Sequence, residues 1–132
     1  MFRTLSAFAP TGGRRVLVVD DEPTVRSLVG TILELDGFEV VAQASDGHAA
    51  VELARRLQPD FVLLDLIMPG VSGHDAVAEL GRVAPDAQIV VMTSIPALTV
   101  EPHIRHEVTV VLDKAHDLAH VSDTLSMLID AR

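Results

Sequence analysis

The chain has 132 residues, 48% of them hydrophobic, enough for one compact core and too few for a second domain of ordinary size. Nineteen Asp and Glu against ten Lys and Arg give a formal charge of −9, so the surface repels a phosphate backbone and direct nucleic-acid binding is not expected. The absence of cysteine excludes disulfide scaffolds and thiolate metal sites, and the cytoplasm is the expected compartment.

Residues 1–13, MFRTLSAFAPTGG, carry one Arg and an apolar patch too short for a signal-peptide core. They are read as a flexible tail before a single domain over residues 14–132. No apolar run approaches the roughly 20 residues that cross a bilayer, so no membrane association is expected.

From there, aliphatic runs alternate with helix-period segments. VLVV (16–19), FEVVA (38–42), FVLL (61–64), IVVM (89–92) and VTVVL (108–112) read as five strands. Their near-continuous apolar character suits a parallel sheet covered by helices on both faces. The first helix should start at Pro23 or Thr24, carry Val25, Leu28, Val29 and Ile32 inward, and stop at Gly37. The second should run from about Asp46, through Ala49, Ala50, Leu53, Ala54 and Leu57, to just before Pro59. Ser72 is the expected N-cap of a third helix with Val77 and Leu80 inward. A last helix should start near Asp117 and present Leu118, Val121, Leu125 and Leu128. The fourth crossover, residues 95–107, differs: Pro96 and Pro102 interrupt a segment with few large apolar residues, so an atypical fourth helix region is expected.

In an open parallel sheet, ligands bind beyond the carboxyl ends of the strands, where strand order reverses. Polar residues gather at those ends: Asp20, Asp21 and Glu22 after strand one, Asp65 after strand three, Thr93 and Ser94 after strand four, Asp113 and Lys114 after strand five. Carboxylates about 4 Å apart repel by about 4 kcal/mol at an effective dielectric near 20, so a cation is expected among them. An all-oxygen set suits Mg²⁺ better than zinc. A carboxylate, a hard cation, a lysine and a hydroxyl together point to phosphoryl chemistry. Taken singly, the acidic run also fits a helix N-terminus, Thr93 a satisfied strand-end hydroxyl and Lys114 an ordinary surface lysine.

With these motifs in order, VLVVDDE, VLLDLIMPGVSG, VVMTS and VVLDK, the sequence closely resembles the receiver domains of two-component response regulators over about residues 14–131. The resemblance implies an α/β, flavodoxin-like doubly wound (βα)5 fold with strand order 2-1-3-4-5. It implies that Asp65 accepts the phosphoryl group, that Asp21, Asp65 and the Ile67 carbonyl bind Mg²⁺ directly, and that Asp20 binds it through water. Thr93 becomes the switch hydroxyl and Lys114 the phosphate-pairing cation. The phosphodonor would be a sensor histidine kinase or a histidine phosphotransfer protein, the output a protein partner, and the chain a monomer or weak dimer that is not a turnover enzyme.

Two positions depart from the family pattern. Val111 stands where many members have an aromatic residue, and Ala115 stands where a cis proline commonly follows the lysine. Both put in question the usual coupling of phosphorylation to the surface formed by the fourth helix, fifth strand and fifth helix. Alternatives are therefore an interaction module that signals without phosphorylation, or a receiver fragment of a longer regulator. An aspartyl-phosphate hydrolase is disfavoured because Leu66 and Ile67, not an acid, follow Asp65. Ile67 and Ile95 are both apolar and suggest slow self-dephosphorylation. His103 with His106, and His116 with His120, lack further zinc ligands and are read as solvated, and the methionines as core filler.

Overall fold

A computed structural model describes residues 14–68, 73–94 and 108–130. The expected tail, the Ser72 cap, Ile95, His103, His106 and the fourth crossover lie outside the described residues. Five strands form one parallel sheet: β1 (Arg15–Val19), β2 (Glu39–Ala44), β3 (Phe61–Asp65), β4 (Gln88–Thr93) and β5 (Val110–Asp113). Their order is β2-β1-β3-β4-β5, the doubly wound order expected. Among the described residues the α-helices are α1 (Pro23–Leu35), α2 (Gly47–Leu57), α3 (Gly73–Val83) and a C-terminal helix, Val121–Asp130.

Period-two alternation sends successive strand residues to opposite faces and so builds two cores. Leu17, Val19, Val62, Leu64, Ile89 and Val91 pack with Ala50 and Ala54 of α2 and with Ala76, Val77 and Leu80 of α3. Val16, Val18, Phe61, Leu63, Val90 and Met92 pack with Val29 and Leu33 of α1 and with Val121 and Leu125 of the C-terminal helix. Both faces being covered explains why the strand sequences are apolar throughout.

Several boundaries differ from the sequence expectation for local reasons. Phe38, expected in β2, closes α1 instead: Gly37 adopts φ +90° and the Phe38 N–H returns to the Leu33 carbonyl at 2.9 Å. β2 then runs on to Ala44, whose carbonyl accepts from the Asp20 N–H at 3.1 Å. β5 begins at Val110, with Thr109 tied to the Ile89 carbonyl at 2.7 Å ahead of the ladder. The last helix begins with a single 3₁₀ turn, Leu118–His120, before α-helix proper at Val121. α2 ends as expected before Pro59, with Gln58 left-handed at φ 47° and its amide bonded to the carbonyls of Ala54, Arg55 and Val83. One core assignment was wrong: Met92 is buried and Met68 packs against the core, but Met127 is 70% exposed. It lies about 200° around the helix from Leu125, on the side away from the buried Val121 and Leu125 stripe.

Candidate functional site

Strands β1 and β3 are neighbours, so the residues that end them meet. Asp20 is fully buried and Asp65 is 3% exposed. Each carboxylate is held by its own turn. Asp20 Oδ1 accepts from the Glu22 N–H at 2.9 Å, and Asp65 Oδ1 accepts from the Ile67 N–H at 3.0 Å. These bonds fix the side chains and leave both Oδ2 atoms facing Lys114, which reaches in from the end of β5.

Lys114 Nζ lies 2.6 Å from Asp20 Oδ2, 3.0 Å from Asp65 Oδ2 and 3.4 Å from Glu22 Oε1. Only the Asp65 and Glu22 contacts are hydrogen bonds. Asp20 Oδ2 has no hydrogen-bond partner among the described residues, so its approach to the ammonium is an ion pair without bonding alignment. Carboxylate oxygens of Asp20, Asp21 and Asp65 all lie within 4.8 Å of one another. A buried, unaligned oxygen beside two further carboxylates is a donor set that fits a hard divalent cation.

The electrostatics reflect this crowding. Burial pushes the Asp65 carboxyl above its ordinary value, against the opposing pull of the Ile67 N–H and Lys114, and Asp20 adds to the rise. For Lys114, burial favours loss of the proton, but Asp20 and Asp65 outweigh it and hold the ammonium well above the ordinary lysine range. The lysine is therefore a fixed positive charge, as phosphate pairing requires.

Thr93 ends β4 fully buried, in register with Asp113 of β5, and its carbonyl accepts the Lys114 N–H at 2.9 Å. Ile67 is 54% exposed beside the Asp65 turn. The residues singled out from sequence, Asp20, Asp21, Asp65, Ile67, Thr93 and Lys114, thus share one end of the sheet. Val111 is half-buried against the core, and no peptide bond among the described residues is cis, so Ala115 follows the lysine in trans. His116 and His120 are 80% and 70% exposed, each facing an aspartate rather than another histidine.

Two participants were not assigned from sequence. Glu22 was placed in the polar cluster without a role, and it contacts Lys114. Arg26 was missed: its guanidinium donates to the Asp20 backbone carbonyl. The signal was available, since Arg26 lies one helical turn after Glu22, whose carbonyl its N–H also reaches at 3.1 Å.

A family model described as the response regulator receiver domain matches residues 16–125, and the chain belongs to that family. Receiver domains in general are not turnover enzymes. The chain is 50% identical over 80 residues to the nitrate/nitrite response regulator protein NarP of Escherichia coli K12, covering 60% of this chain and 37% of NarP. It is 39% identical over 83 residues to the chemotaxis protein CheY of Thermotoga maritima, covering 63% of this chain and 69% of CheY. The solved structure of the response regulator protein TrrA from Thermotoga maritima, in complex with Mg(2+)-BeF, superposes with a TM-score of 0.76 at 27% identity. That match covers 87% of this chain and 98% of TrrA. The aligned part spans little more than a third of NarP. Among the described residues, no helix is long and apolar enough to cross a membrane.

Proposed function

We propose that Asp65 accepts a phosphoryl group from a phosphohistidine on a sensor histidine kinase or a histidine phosphotransfer protein, and that the chain then signals by binding a protein partner. The observation that supports this best is the pair of Oδ2 atoms on Asp20 and Asp65 converging on one lysine, with Asp21 alongside. The structure of TrrA in complex with Mg(2+)-BeF agrees with a cation and a phosphoryl-like group in the equivalent fold.

Asp21, Asp65 and the Ile67 carbonyl would hold Mg²⁺ directly, and Asp20 through water. The ion would supply charge neutralisation for the incoming phosphoryl oxygens. The protein's own residues do the rest. The Ile67 N–H fixes Asp65 Oδ1, leaving Oδ2 as the atom that attacks phosphorus while the donor's P–N bond breaks and its electron pair returns to the histidine nitrogen. Lys114 leaves its bond to Oδ2 and pairs with a phosphoryl oxygen. Thr93 donates its hydroxyl to another phosphoryl oxygen and carries the change into β4. The exposed Ile67 side chain hinders water from lining up behind phosphorus, so hydrolysis is slow and the chain holds the signal instead of turning over.

A second reading, an interaction module that signals without phosphorylation, is favoured by Val111 and by the trans Ala115. Either reading allows action alone or as the receiver part of a longer regulator. Incubation with acetyl phosphate separates them. The first expects Mg²⁺-dependent labelling that disappears in Asp65→Asn, with partner binding that differs between the two proteins. Equal partner binding by both, with or without phosphodonor, supports the second.

A further inference from the structure

The turn that carries Lys114 is fastened by two aspartates that have no part in the chemistry described so far. Asp113 Oδ1 accepts the Ala115 N–H at 2.7 Å, and the Asp113 N–H donates to Asp117 Oδ2 at 2.9 Å. The Asp113 carbonyl accepts the Asp117 N–H at 2.7 Å and the His116 N–H at 3.2 Å. Asp117 therefore turns its carboxylate backward; it makes no side-chain cap on the 3₁₀ turn that follows it. The Asp113 carboxyl is held below its ordinary value by the Ala115 N–H and then by His116, so it stays ionised as it accepts these bonds. With the Lys114 N–H bonded to the Thr93 carbonyl, the backbone is tied at the lysine and on both sides of it.

This arrangement depends on Ala115. A residue without an N–H at that position would remove the backbone donor that Asp113 Oδ1 accepts, so the clasp and the alanine belong together. A lysine has four side-chain torsions and is intrinsically mobile, yet Lys114 Nζ has to meet Asp20 and Asp65 within 3.0 Å. Fixing its backbone is what the turn contributes.

We propose that Asp113 and Asp117 are positioning residues for the phosphoryl reaction: their carboxylates clasp the turn around Lys114 and aim its ammonium at Asp65. This rests on the function proposed above. It also carries a consequence that a purely structural turn lacks. The Lys114 ammonium lies against two of the three carboxylates proposed for the divalent cation and repels it, so loosening the turn should weaken phosphoryl acceptance while strengthening Mg²⁺ binding.

The test uses the full chain with Asp113→Ala, Asp113→Asn and Asp117→Ala, each also combined with Lys114→Met. Phosphorylation by acetyl phosphate is followed by phosphate-affinity gel, and Mg²⁺ affinity by titration calorimetry. Asp113→Ala should slow phosphorylation roughly tenfold and tighten Mg²⁺ binding, since small displacements of a positioned group are costly. Asp113→Asn keeps the acceptor oxygen and should recover most of the rate. In the Lys114→Met background Asp113→Ala should have no further effect, because the clasp acts through the lysine. Asp117→Ala, which removes only the outer bond, should act in the same direction and serves if Asp113→Ala does not fold. A folded Asp113→Ala with unchanged rate and metal affinity, weakening of both together, or full slowing retained in Lys114→Met would overturn the proposal. If the native chain accepts no phosphoryl group, the proposed function fails. The clasp is then judged alone, by whether Asp113→Ala tightens Mg²⁺ binding and speeds hydrogen exchange of the Lys114 ammonium by NMR.

Discussion

Replacing Lys114 by methionine tests the electrostatic design of the pocket. The lysine side chain is 12% exposed, against fully buried Asp20 and 4% exposed Asp65 side chains, so these charges have little solvent to fall back on. Stripping a buried ion pair of one partner costs about 3–5 kcal/mol; the lower end applies here because the Lys114 side chain is itself 12% exposed. At about 3–4 °C per kcal/mol for a domain of this size, metal-free Tm should fall by about 10 °C. Mg²⁺ should then reverse much of the loss. At a hundredfold excess over Kd a bound ion contributes about 2.7 kcal/mol, and the variant offers it carboxylates with no competing ammonium. The assay is thermal unfolding by far-ultraviolet circular dichroism, since the chain has no Trp or Tyr, in EDTA and across a Mg²⁺ titration. A metal-free Tm within about 2 °C of wild type, or a Mg²⁺-induced shift no larger than that of wild type, would refute the reasoning.

Asp65→Asn removes a carboxylate whose burial raises its pKa, so in EDTA it should be more stable than wild type at neutral pH, with no stabilisation by Mg²⁺. The sign follows from linkage: below the ordinary value of 3.8 the acid is neutral folded or unfolded and the advantage vanishes, and it grows as pH rises through the elevated folded value. Thermal melts from acid to neutral pH check this. Ile67→Asn, which trades an exposed apolar cover for an amide that can hold water, should shorten the phospho-Asp65 lifetime roughly tenfold; gel-resolved decay after donor removal measures it. Ser122 is 4% exposed and its hydroxyl has no hydrogen-bond partner among the described residues, so Ser122→Ala should raise unfolding free energy by about 1 kcal/mol in urea titrations.

The legible part of this protein was the part where one residue type carries one physical demand. A charge ending a buried strand is costly, so Asp20, Asp65 and Lys114 stood out against VLVV, FVLL and VVL. A parallel sheet covered on both faces followed from strands apolar on both faces, and its doubly wound order from the resemblance to receiver domains. Less legible were features that depend on side chains returning to backbone. Phe38 reads as strand by propensity, but the Gly37 turn commits it to closing α1. Asp117 reads as the start of the last helix, but its carboxylate accepts from the Asp113 N–H, a 3₁₀ turn follows it and the α-helix proper begins at Val121. Arg26 lies on a helix whose periodicity says only that it is not core; its place one turn after Glu22 puts it near the acidic cluster, but the bond from its guanidinium to the Asp20 carbonyl shows only in the structure. Met127 fell to a rule about residue type, where its angular position relative to Leu125 was the better guide.

Chemical trapping tests most directly whether Asp65 is the residue that accepts the phosphoryl group. Reaction of the chain with acetyl phosphate and Mg²⁺, followed by borohydride reduction and peptide mass mapping, converts an acyl phosphate to a homoserine at the residue that carried it. Homoserine should form at position 65 alone, dependent on Mg²⁺. Homoserine at Asp20 or Asp21, or none at any position under conditions that label a known receiver in parallel, would contradict it.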